Sequence, residues 1–205
     1  MPTRAENQKN RRSALVKVAS ELFLARGYEG ISIDEVIALT GGTKTNVYTL
    51  FGGKAELFAA VVDEQCQKLK HLFADLDLSG LSPEEALRRV GRAYLTTLLS
   101  KASVRQHRLM VAESGRFPAL GRRWFKAGPE GARTALASKL EGLPGFGSKA
   151  QTRQIATAFL NMLGGEPLMR QLAAGGTPPS TREINSYVDD AVTLLLQGAL
   201  ASKKR

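Results

Sequence analysis

The chain of 205 residues carries a formal net charge of +10, is 43% apolar and holds one cysteine. That composition builds a globular core, excludes a disulfide framework and points to a polyanionic partner. No apolar run reaches bilayer-spanning length, and the polar opening MPTRAENQKNRR has no signal core, so a cytoplasmic protein without a membrane partner is expected.

Charge alone does not locate the partner. Residues 1–55 hold a net +3, residues 56–100 a net −2, residues 101–140 a net +7 and residues 141–205 a net +2. Almost nothing alternates with period two, so the fold class is all-α. Leu15, Val18, Ala19, Leu22 and Phe23 share one face of a first helix. Before it, Lys9, Arg11 and Arg12 read either as a basic N-terminal arm that reaches an adjacent groove or, the commoner case, as a solvated tail.

Residues 32–51 carry the most information. Ser32 and Glu35 have capping-box spacing, and Ile33, Val36 and Ile37 make one helical face. Gly41 and Gly42 supply a turn, and Thr43 caps a second short helix. In that helix Val47, Leu50 and Phe51 point one way, and Thr45, Tyr48 and Thr49 the other. A solvated face normally carries Glu and Lys pairs. Here the outer side holds Lys44, Thr45, Asn46, Tyr48 and Thr49 and no carboxylate, a set suited to phosphates and base edges. The pattern is that of a helix-turn-helix with its recognition helix second.

From Lys54 a long helix runs through Leu57, Val61, Val62, Leu69, Leu72, Phe73 and Leu76. It is too long for a small head, so it leads into a second domain. The expected division is a DNA-binding head with its arm at residues 1–55 and a larger helical domain at residues 56–205. Asp77 to Gly80 ends the long helix, and Ser82-Pro83-Glu84-Glu85 starts another that reaches about Ser100. A short helix is expected at residues 108–113, then helical segments around Trp124 and over residues 129–140. LPGFGS and GGTPPS are loops on either side of a helix expected at residues 151–163. Ser180 and Glu183 cap a last helix from Thr181 to about Ala201. That last helix is apolar nearly all round, as is IATAFLNML, which calls for cover on several sides. A homodimer is expected, with Ile155, Phe159, Met162, Tyr187, Ala191, Leu195 and Ala199 at its interface; the plainer alternative is the chain's own core.

Residues 11–58 resemble the head of the TetR/AcrR family of one-component regulators. The resemblance rests on Ala25-Arg26-Gly27-Tyr28, Ser32, Tyr48 with Phe51, and Lys54 with Leu57 and Phe58. Gly42, Leu50 and Gly53 depart from the family pattern. Residues 108–129 resemble the C-terminal domain of an AefR-like subgroup, through Glu113, Arg116, Phe117 and Pro118. The resemblance implies a transcriptional regulator, expected as a ligand-responsive repressor on a palindromic double-stranded operator, with a helical effector-binding and dimerisation domain. By family analogy Thr45, Asn46 and Tyr48 lie nearest the bases, and Ser32, Thr43 and Lys54 contact the backbone, beside Lys44 and Thr49.

Phe73, Tyr94, Leu98, Met110, Phe117, Trp124 and Phe125 are candidates for the wall of an effector pocket, although each singly reads as core. Cys66 reads as a buried thiol, and His71 and His107 have no neighbours at ligand spacing, so no metal or cofactor is expected. No catalytic constellation stands out, and an enzyme is not expected. Two rivals stay open: a helical small-molecule carrier or enzyme with a vestigial head, and a DNA binder without an effector.

Overall fold

Helix starts are written locally in this chain. The computed structural model describes residues 3–175 and 177–200, without the side chains of residues 68–70, 199 and 200. Among the described residues the elements are α1 (Arg4–Arg26), α2 (Ile33–Thr40), α3 (Lys44–Phe51), α4 (Lys54–Asp75), α5 (Pro83–Leu98), α6 (Lys101–Ser114), α7 (Pro118–Phe125), α8 (Gly131–Leu140), α9 (Lys149–Ala173) and α10 (Thr181–Leu195), with π-helical turns at Lys126–Glu130 and Leu196–Leu200. No strand occurs among them, as the missing period-two pattern predicted. Five helices open on a reciprocal capping box: Thr3/Glu6, Ser32/Glu35, Ser82/Glu85, Ser148/Gln151 and Ser180/Glu183. In each, the hydroxyl takes one of the first orphan N–H groups and the side chain three residues on takes another.

The first of these boxes corrects the N-terminal arm. Thr3 starts α1 at Arg4, so Lys9, Arg11 and Arg12 stand on the helix itself. Two more helices run longer than expected. α6 begins at Lys101, and α9 passes Gly164, Gly165 and Pro167 to end at Ala173. Gly164 serves a close approach, because a Cβ there would lie 3.3 Å from Leu98 Cδ2 and 3.4 Å from the Tyr94 hydroxyl.

The chain forms two compact units: Met1–Cys66 with Leu109–Trp124, and Gln67–Arg108 with Phe125–Arg205. The boundary expected at residue 55 falls inside the first unit, which takes in the early turns of α4 and also residues 109–124. Its core joins Leu15, Val16, Ala19 and Phe23 of α1 to Val36, Val47, Leu57 and Phe58. The rings of Phe23 and Phe58 meet at 4.9 Å, and those of Tyr28 and Phe58 at 5.2 Å. Phe117 sets its edge on Tyr28 at 4.7 Å.

In the second unit α9 packs on α8, α5 and α10, and α10 on α5. Ile155, Phe159, Ala191 and Leu195 are all buried in the resulting core. This corrects their assignment to a subunit interface, because α5, α8, α9 and α10 of one chain already cover them. The apolar surface that these helices leave open belongs to Met162, Met169 and Leu194, at 39%, 61% and 61% exposure. Tyr187 is half-buried beside the core. The Ala199 side chain lies outside the described residues.

Candidate nucleic-acid interface

Two glycines and an arginine set the angle between α2 and α3. α2 closes at Gly41, φ 74°, whose N–H donates to Ile37, and Gly42 follows at φ 93°. Both angles favour glycine. Space adds a second demand at Gly42, where a Cβ would fall on the Arg11 guanidinium and 3.1 Å from Asn46 Nδ2. Arg11 reaches from α1 and donates Nη1 to the Thr40 carbonyl at 2.7 Å and Nη2 to the Gly41 carbonyl. It thereby satisfies carbonyls at the end of α2 that no helical N–H can reach.

α3 starts at its cap Thr43, whose hydroxyl accepts the Asn46 N–H at 3.4 Å. Val47 is fully buried and anchors the helix, and Leu50 and Phe51 are half-buried. The Arg12 guanidinium lies 5.1 Å from the centre of the Phe51 ring. Thr43, Lys44, Thr45, Asn46 and Thr49 are exposed, and Tyr48 presents 54% of its surface. The structure thus places six of the eight expected DNA residues together on and beside one face of a short helix.

The other two expected residues have local partners. Ser32 caps α2, accepting the Glu35 N–H at 3.2 Å and donating to the Glu35 carboxylate at 3.1 Å. Lys54 opens α4 with its ammonium 4.3 Å from the centre of the Tyr28 ring. Lys44 also has a partner, Asp34 Oδ2 at 2.9 Å, and that carboxylate raises its pKa by accepting its hydrogen bond. The pair is well exposed and therefore weak, so a phosphate can compete for the ammonium.

Gln8 escaped the sequence reading, and Arg11 was expected in an arm rather than against α3. Gln8 and Arg11 of α1 line a small cleft of about 210 Å³ with Asn46, Thr49 and Leu50 of α3. The signal that marks them is the Thr3/Glu6 spacing, which makes their segment a helix.

The residues expected to wall an effector pocket divide between the units. Phe73, Tyr94 and Leu98 are buried in the core of the second unit, where the Phe73 and Tyr94 rings stack at 6.2 Å. Burial pushes the Tyr94 hydroxyl up to about 12. Phe125 of the same unit is half exposed, with the Arg133 guanidinium 5.9 Å from its ring centre. Met110, Phe117 and Trp124 belong to the first unit. Among the described residues no group of His, Cys, Asp and Glu is arranged to hold a metal ion, and no helix is long and apolar enough to cross a membrane.

Residues 15–61 match the family of bacterial regulatory proteins named for tetR, and residues 85–198 match the C-terminal domain of AefR-like transcriptional repressors. The HTH-type transcriptional repressor NicS of Pseudomonas putida is 29% identical over 87 residues, 42% of this chain and 41% of NicS. The chain matches less than half the length of the curated relatives. Solved structures agree over nearly the whole chain. A TetR-family regulator from Mesorhizobium loti has TM-score 0.83 and 25% identity, covering 96% of this chain and 98% of that one. The flavonoid-responsive regulator FrrA has TM-score 0.72 and 27% identity, covering 92% and 96%.

Proposed function

Since this chain belongs to the tetR family of bacterial regulatory proteins, we propose that it represses transcription as a homodimer on a palindromic operator, and that a small molecule relieves the repression. The face of α3 carries the proposal. Lys44, Thr45, Asn46, Tyr48 and Thr49 stand outward on a helix pinned by buried Val47, with no carboxylate of α3 among them. Such hydroxyl, amide and ammonium groups reach base edges and phosphates once the helix enters a major groove.

A two-fold operator calls for a two-fold protein. Met162 and Met169 of α9, with Leu194 and half-buried Tyr187 of α10, offer the open apolar surface for a second copy. A flavonoid-responsive neighbour supports a small-molecule effector. That effector need only bind the conformer with lower operator affinity more tightly.

The test is selection of duplexes from a random-sequence library with the purified chain, followed by mobility shifts on the sequences recovered. Recovery of an inverted repeat bound by two chains supports the proposal. Recovery of no preferred sequence, or of one half-site bound by a single chain, overturns it.

A further inference from the structure

The first unit holds a cleft of about 450 Å³ away from the face of α3. Its floor is aromatic, built from Tyr28, Phe58 and Phe117. Ala55 and Ala59 lie one turn apart on α4, on the same helical face, and their small side chains keep that wall back. Leu120 of α7 lines it as well. The volume is in the range of small-molecule sites, and such sites pair an apolar body with a few placed polar groups.

The polar groups here are Arg116 and Arg123. Arg116 binds Glu29 through Nη1, and Arg123 binds Asp63 through Nε, at 2.9 Å, and Nη2. A guanidinium has five N–H donors, so both keep donors beyond these pairs. The Arg116–Glu29 pair is largely exposed and costs little to rearrange, whereas the two-point Arg123–Asp63 pair, with Asp63 32% exposed, is the firmer and holds the Arg123 guanidinium in place. The ring of Tyr28 already has a cation against it, the Lys54 ammonium, and the Arg116 guanidinium stands 5.3 Å from the Phe117 ring centre. A cationic ligand would have to displace these groups, whereas an anion would meet them. Glu56 also lines the cleft, and Glu29 and Asp63 offset the two arginines, so the acid group of a ligand competes with these carboxylates for the guanidinium donors.

We propose that this cleft is a binding site for a planar aromatic anion. The rings of the ligand lie on Tyr28, Phe58 and Phe117, and its acid group takes the spare donors of Arg116 and Arg123. The site stands in the same compact unit as the recognition helix, and it is independent of the operator reading above.

The probe is 1-naphthoate, titrated calorimetrically into the full chain beside its neutral counterpart 1-naphthamide. One saturable site per chain is expected, with the acid roughly tenfold tighter than the amide, since charge-assisted hydrogen bonds are the stronger kind. Ala59→Phe puts a ring into the cleft and should abolish binding of both compounds while the melting temperature holds or rises. Ala55→Leu, from the same wall, repeats the test should the first variant fold poorly. Replacing Arg116 and Arg123 together by Gln should bring the acid down to the level of the amide. No saturable binding to the intact chain, equal binding of acid and amide, or binding that survives both filled variants overturns the proposal.

Discussion

Arg11 Nη1 donates to the main-chain carbonyl of Thr40 at 2.7 Å, so a side chain of α1 caps the end of α2. The same guanidinium holds the Gly41 carbonyl and occupies the space that a Cβ on Gly42 would need. Arg11→Ala should lower stability by about 1.5 kcal/mol, the scale of a hydrogen bond to a charged group. It should weaken operator binding further, because α3 is then held at its turn by backbone geometry alone. Thermal melts beside mobility shifts check both parts, and wild-type affinity in Arg11→Ala would show that the turn keeps its angle unaided. Gly42→Ala adds backbone strain at φ 93° and pushes the same guanidinium aside. The two substitutions should therefore be non-additive in a double-mutant cycle.

Tyr48 separates DNA binding from folding. It is 54% exposed on the outer face of α3, and no fold contact depends on it as the head depends on Val47. Tyr48→Ala should cost roughly 1–3 kcal/mol of operator affinity, the scale of one good contact. The melting temperature should stay close to wild type. A marked fall in the melting temperature with affinity intact would reverse the assignment of faces.

Leu194 and Leu195 are consecutive and should answer opposite questions. Leu195 is 5% exposed in the core, so Leu195→Ala should destabilise the chain by about 2–5 kcal/mol. Leu194 is 61% exposed, so Leu194→Glu should spare the helical fold and convert a dimer into monomers. Sedimentation of the Leu194→Glu variant as an intact dimer would remove this side of α10 from the interface.

Acid should loosen several helix starts together. The main-chain N–H groups of Thr3 and Ser32 hold Glu6 and Glu35 below the ordinary glutamate value of 4.5. The hydroxyls of Ser82 and Ser180, and then their N–H groups, do the same for Glu85 and Glu183. Each carboxylate binds its proton more weakly folded than unfolded. Its contribution is complete above the unfolded pKa and is lost as pH falls through the folded one. Melting temperature should therefore decline below about pH 4.5 in melts taken from about pH 6 down to about pH 3. Glu35→Gln keeps an acceptor and removes the titration, so the acid slope should flatten. The Ser148/Gln151 box already has that form. An unchanged slope would place the acid sensitivity elsewhere.

Much of the head was readable from spacing because its signals are local. Ser32 with Glu35, the paired glycines and Thr43 mark α2, the turn and α3 within a few residues of one another. The same rule marks Thr3 with Glu6 and Ser148 with Gln151, but a polar opening and a glycine-rich loop masked them. α9 outran its expected end through Gly164 and Pro167, residue types that disfavour helix locally; packing of Gly164 beside Leu98 and Tyr94 outweighs that preference. Helical periodicity finds an apolar surface but not what covers it. That is why Leu195 was expected at an interface and stands in the core, while its neighbour Leu194 is the open residue. Nor does periodicity say which distant segment joins a unit, and Phe117 meets Tyr28 across a separation that no local signal spans.

Tyr28 sits amid unusual company. The rings of Phe23, Phe58 and Phe117 surround it at 5.9, 5.2 and 4.7 Å, and the Lys54 ammonium stands 4.3 Å from its centre. Aromatic ring currents shield or deshield nearby protons according to angle and distance. The Tyr28 ring protons should therefore resonate well away from those of exposed Tyr48. One side chain then acts as a built-in magnetic gauge, whose chemical shifts follow any change in how Phe117 leans on the turn that follows α1.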